Sequence, residues 1–156
     1  MFNLMQIQQL LQEKQQLLLH FEEVTQRMLL CSTEELQAQV FERERTMDLV
    51  NSLDQQMAVL SEETPERPFL ISLLNGCADI ENLPESVKPL YNEALKIRSI
   101  LSRLQETDIQ AAIRLRLEQE KILEKIKMAN QGSSAKAAKF YSSSATRNTS
   151  GKIGNA

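Results

Sequence analysis

The sequence predicts an all-α fold: an antiparallel helical hairpin, a short linking helix and a long third helix forming a bundle or coiled coil, followed by a disordered C-terminal tail. Three observations carry this. Aromatics make up only 4% of the 156 residues, with no Trp, four Gly and four Pro, while Leu, Gln, Glu, Lys, Ile and Ala are abundant, which is helix-forming stock and not that of a sheet protein. Apolar residues return every three or four positions through most of residues 1–130, the period of an amphipathic helix. At residue 131 the composition shifts to Ser, Ala, Gly, Asn and Lys. The implied organisation is a helical domain over 1–130, with helices at about 2–31, 33–61, 68–75 and 87–130, and a disordered tail over 131–156.

In the first helix Ile7, Leu10, Leu17, Phe21, Val24, Met28 and Cys31 recur at spacings of three, four and seven, the a/d pattern of a helix seam. Lys14 interrupts this seam, its stem lying along the groove and its amine reaching water. Leu4, Leu11, Leu18 and Leu19 widen the stripe, which implies more than one neighbour. The polar face is rich in Gln, yet the interleaved apolar rhythm favours an ordinary helix over a low-complexity segment. Ser32 then starts the second helix: its hydroxyl suits the free N–H of Glu35, whose carboxylate can reach back, a capping box. Leu36, Val40, Met47, Val50, Leu53, Met57 and Leu60 share one face of that helix. So short a connection folds the two helices into an antiparallel hairpin.

Pro65 and Pro68 remove two backbone donors within four residues, so the chain turns there. The apolar stretch 68–75 reads as a short helix across the end of the hairpin, stopped by Asn75-Gly76. Pro84 and Pro89 bracket the start of the long helix, whose stripe is Leu90, Ala94, Ile97, Leu101, Leu104, Ala111, Leu115, Ile122, Ile126 and Ala129. Asp108 falls on that stripe, a defect expected to mark a kink or a solvent-facing stretch. At 1.5 Å per residue this helix is roughly 65 Å long, and each earlier one about two-thirds of that. Part of it must therefore overhang, bend or pack against another chain. The tail holds too few large apolar groups to offset the entropy of ordering it.

Charge and motifs narrow the function. The net charge of −3 divides into 14 − 21 = −7 over residues 1–130 and +4 over the remainder. An acidic body argues against nucleic-acid binding, which needs clustered cations. No apolar run approaches the roughly 18–20 residues that insert into a bilayer, and the opening segment, interrupted by Gln and charge, is no signal peptide. A cytoplasmic location is expected. Cys31 and Cys77 lie 46 positions apart without a metal-type spacing, and read as small buried hydrophobes in preference to a disulfide. His20 is the one histidine, in mid-helix beside Phe21, and no HExxH, GxSxG, P-loop or GxGxxG occurs. Catalysis requires a nucleophile, base or metal set held together; no enzyme activity, cofactor or metal site is expected.

Binding is the remaining class. Residues 114–127 (RLRLEQEKILEKIK) are basic and amphipathic, but their interleaved Glu favours a salt-bridged, solvated face over membrane contact. The apolar side of that region supplies Ile113, Leu117, Ile122, Leu123 and Ile126 as a candidate client-binding stripe. Core or a homodimer seam is the other reading of the same residues. In the tail, Phe140 and Tyr141 form an aromatic anchor flanked by cations, a short docking motif or an accidental pair.

The assembled layout resembles the flagellar export chaperones of the FlgN type, with the FliT type as kin. The resemblance rests on LLQEKQQLLLHFEEVTQRM, LVNSLDQQMAVL, YNEALKIRSILSRLQETDIQAAIRLRLEQEKILEKIKMAN and the tail KAAKFYSSSATRNTSGKIG. It covers nearly the whole chain through layout and without an invariant signature. It implies a cytoplasmic chaperone that binds amphipathic C-terminal helices of hook-associated or filament-cap proteins, prevents their premature assembly and delivers them to the type III export gate. It further implies that Tyr141, the one position that matches, docks on the cytoplasmic domain of the gate, and Phe140 beside it is grouped with it as the docking pair. The linker between the prolines and Gly76, and the longer Ser-rich tail, depart from the family pattern. A homo-oligomeric coiled-coil adaptor is the alternative.

Overall fold

The computed structural model describes the backbone of residues 2–154 and the side chains of residues 2–132. Four α-helices follow in order: α1, Phe2–Leu30; α2, Thr33–Glu62; α3, Arg67–Leu74; and α4, Lys88–Gly154. A single 3₁₀ turn, Ile80–Asn82, lies between α3 and α4. No strand occurs among the described residues. The chain is all-α, and it divides into two compact units, residues 1–114 and 115–156.

Cross-helix pairs fix the directions within the first unit. Lys14 Nζ donates to Asp54 at 2.7 Å and the His20 ring meets Glu42 at 2.8 Å, so positions rise along α1 as they fall along α2. Gln15 meets Glu93, Arg103 meets Glu22, and Arg114 meets the carbonyl of Met28; α1 and α4 therefore run parallel. The expected hairpin is present, and the first part of α4 completes a three-helix core.

Most buried positions step by three or four along the helices. On α1 they are Leu4, Ile7, Leu11, Leu18, Phe21, Val24, Thr25 and Met28, with half-buried Lys14 at the intervening step. On α2 they are Leu36, Thr46, Val50, Leu53, Met57 and Ser61; on α4, Leu90, Glu93, Ile97, Ile100, Leu104 and Ala111. This is the knobs-into-holes seam of adjacent long helices, each buried aliphatic contributing roughly 1.5–3 kcal/mol. The register differs in places from the pattern in the sequence. Leu10, Leu17, Val40, Met47 and Ala94 are only half-buried, and Leu19 and Leu101 are exposed. In each case a neighbour one or a few positions away fills the seam instead. Thr25 and Thr46 serve there because each hydroxyl donates to the carbonyl four residues back, at 2.7 and 2.8 Å. The satisfied side chain then packs as a β-branched apolar one.

Polar breaks in the stripes are cross-helix pairs. Lys14 is neutralised by Asp54 instead of reaching water. Asp108 accepts from Arg43, whose guanidinium also stacks 4.5 Å from the Phe21 ring; the break on α4 is thus a contact with α2. Cys77 is exposed and Cys31 half-buried, both free. Neither is the buried hydrophobe expected: each lies in a connection just past a helix end and not on a seam.

The connections behave as their chemistry dictates. The Ser32 hydroxyl accepts from the Glu35 N–H at 3.3 Å, one half of the capping box. At the other end of the hairpin, Leu70 and Leu73 of α3 join Leu83 and Val87 in the core cluster that holds Leu4, Ile7 and Met57. The end of α3 is a Schellman turn: Gly76 N–H donates to Leu73 and Cys77 N–H to Ser72, with Gly76 at φ +75. That left-handed conformation is why glycine stands there. The helical backbone of α4 carries on through 131–154. The segment holds no Pro, and once a helix is nucleated each further residue adds one hydrogen bond.

Candidate functional site

Two surfaces stand out, one in each unit. In the second unit, α4 is the only described element, and every side chain from 119 to 132 is exposed. Leu117, Ile122, Leu123, Ile126 and Met128 retain 49–66% of their accessible surface, far more than a core position keeps. Ile113, the remaining member of the expected stripe, belongs to the first unit and is 51% exposed.

Helical geometry sorts these residues. At about 100° per residue, Ile122 and Ile126 lie within about 40° of one another and Leu123 about 60° beyond Ile126. Leu117 lies about 180° from Ile126. The five residues are therefore not a single stripe: Ile122, Ile126 and Leu123 form one apolar face, and Leu117 lies on the opposite side with Met128. Between them run charges paired along the helix, Arg116 with Glu120 at 3.7 Å and Lys121 with Glu118 at 3.5 Å. These one-turn pairs are the solvated, salt-bridged face expected of this region, each worth a few tenths of a kcal/mol. Phe140 and Tyr141 lie outside the residues whose side chains are described.

The second surface is a groove in the first unit that the sequence pattern did not reveal. Its floor is Leu11 and Ile97, its walls Leu73, Leu74 and Gly76 on one side and Leu95, Arg98 and Leu101 on the other. Leu74, Leu95 and Leu101 are 37–42% exposed along its rim. The signal available in the sequence was the Asn75-Gly76 stop. It shows where α3 ends, but not that the sharp turn leaves α4 uncovered beside it.

Two carboxyls among the described residues are held below their ordinary range by ion pairs and hydrogen bonds. Arg45 and His20, both bonded to Glu42, hold its carboxyl down at about 2. Glu93, buried on α4, is also lowered, chiefly by its hydrogen bond from Gln15 and against the effect of burial. A carboxylate that exchanges protons near neutral pH needs the opposite displacement. No group of three or more His, Cys, Asp or Glu able to hold a metal ion occurs among the described residues. No helix among them is long and apolar enough to cross a membrane.

No family model, curated protein or solved structure matches the chain.

Proposed function

We propose that this protein is a cytoplasmic flagellar export chaperone that holds the amphipathic C-terminal helix of a hook-associated or filament-cap protein and hands it to the type III export gate. The observation that carries the reading is the apolar face of Ile122, Leu123 and Ile126, half to two-thirds exposed and flanked on the same helix by paired charges. Large apolar side chains in a row on a solvated helix are suited to a second helix, whose i, i+3 and i+4 residues interleave with them. Covering each contributes about 1–2 kcal/mol. After the cost of association this gives a moderate, reversible affinity, which a protein that must release its cargo requires. Tyr141 is assigned to the gate by the resemblance of the tail, with its neighbour Phe140 as the second aromatic of the docking pair, and the protein carries no catalytic role in this scheme.

The test is binding of the full chain to labelled peptides spanning the C-terminal helices of hook-associated and filament-cap proteins, read by fluorescence anisotropy. Ile122→Glu with Ile126→Glu is expected to weaken binding at least tenfold while circular dichroism stays unchanged. Leu117→Glu, on the opposite side, is expected to change it less than twofold. Should no such peptide bind, or should light scattering show that the same face is occupied by a second copy at all concentrations, the chaperone reading fails in favour of a homo-oligomeric adaptor.

A further inference from the structure

We infer that the groove between α3 and α4 docks a partner helix bearing an acidic side chain with a large apolar residue one turn away on either side. Leu95, Arg98 and Leu101 step along one ridge of α4 at spacings of three, the two leucines each 42% exposed and the guanidinium between them. An i±3 ridge of this kind seats in the groove of another helix. The cavity beside the ridge has a volume of about 200 Å³, below the roughly 300–1,000 Å³ of small-molecule pockets. It therefore suits one or two anchoring side chains of a larger partner.

Charge selects the partner. Residues 1–130 carry −7, yet the charged residues lining this groove are both cations, Lys14 and Arg98. Lys14 is already paired with Asp54 at 2.7 Å. Arg98 is different: among the described residues its guanidinium has no ion-pair partner. It lies beside Gly76, where an added Cβ would stand 3.8 Å from Arg98 Cζ. With φ at +75 that position also disfavours any side chain. The wall is thus kept low next to a planar cation whose forked N–H groups match a carboxylate. Flanking leucines that exclude water around such a pair raise its contribution. This site lies wholly within the first unit and does not depend on the role proposed for Ile122 and Ile126.

The experiment uses the full-length protein and three labelled helical peptides sharing a Leu-x-x-Glu-x-x-Leu ridge, one with Glu, one with Gln and one with Lys at the central position. The expected result is at least tenfold tighter binding of the Glu peptide than of the Gln peptide, with the Lys peptide weakest. R98E is expected to reverse that order, a gain that misfolding cannot produce, and the amides of Asn75, Gly76 and Ala78 should shift on titration. I122E with I126E should leave all three dissociation constants within twofold. Equal affinity for the Glu and Gln peptides, an unchanged order in R98E, loss of binding in I122E/I126E, or no binding at all overturns the proposal.

Discussion

At the scale of single residues, the informative positions are polar ones set into apolar seams. Arg43 lies between the Phe21 ring and Asp108, and Lys14 reaches Asp54; each joins two helices where a leucine would leave them free to slide. Glu42 does the same from the surface, accepting from Arg45 and meeting His20 on α1. Its carboxyl sits at about 2, against an ordinary value of 4.5. A carboxyl lowered in the folded state contributes stability that is present above its unfolded value and lost as pH falls through its folded one. The window is thus pH 4.5 down to 2. Because Glu42 is open to solvent, the contribution is screened by salt. Glu42→Gln is expected to flatten the pH dependence of the urea midpoint in that window at low salt, and to do so less at 1 M NaCl. An unchanged slope would show that the unfolded chain holds the same pairs.

At the scale of elements, the helices were legible because α-helical periodicity is a strong signal; their facing was less so. In α1 the pairs Leu10-Leu11 and Leu17-Leu18 place apolar residues on two adjacent faces, and counting apolar positions cannot choose between them. Packing chose Leu11 and Leu18, which are 2% and 1% exposed, while both Val24 and Thr25 are buried beyond them. Thr25, Thr46 and Glu93 escaped a search for apolar residues altogether. The threonines are covered by their own backbone hydrogen bonds, and Glu93 by Gln15 from a helix 78 residues away. Helix ends were read from caps, and Ser32 and Gly76 stand where their chemistry requires. The end of α1 could not be read so, because its cap is remote. The Arg114 guanidinium donates to the carbonyls of Met28, at 2.6 Å, and Cys31, groups that a helix end leaves unpaired. Arg114→Ala is expected to lower stability by roughly 1–3 kcal/mol, measured by chemical denaturation, with faster amide exchange over the last turn of α1. Lysine at 114 should restore less than half, since it lacks the fork that spans two carbonyls.

At the scale of the whole molecule, register and order of the three core helices are set by few contacts. The candidate surfaces follow from them: the groove exists because α3 ends sharply at Gly76, and the exposed face because α4 outlasts the hairpin in sequence. Of the five residues first grouped as one stripe, the structure leaves Ile122, Leu123 and Ile126 together, a distinction that needs helical angles and not spacing alone. Replacing the Gln15–Glu93 pair by leucines is expected to raise the melting temperature while admitting other pairings, since buried polar groups favour register over stability. Calorimetry together with light scattering would show it; a double variant that melts higher and keeps the single oligomeric state of the parent would mean that the pair has no part in register. The parallel course of α1 and α4 has a further consequence, in time. The hairpin is complete once residue 62 has been made, with α1–α2 pairs only 22 and 40 residues apart, whereas the α1–α4 bonds span 78–86. At about 5–20 residues per second, ribosomes need roughly 3–10 s more to reach Arg114. For that interval every newborn chain holds Gln15, Glu22 and the last carbonyls of α1 without the groups that meet them in the folded protein, so its own long helix is the partner that these positions must wait for.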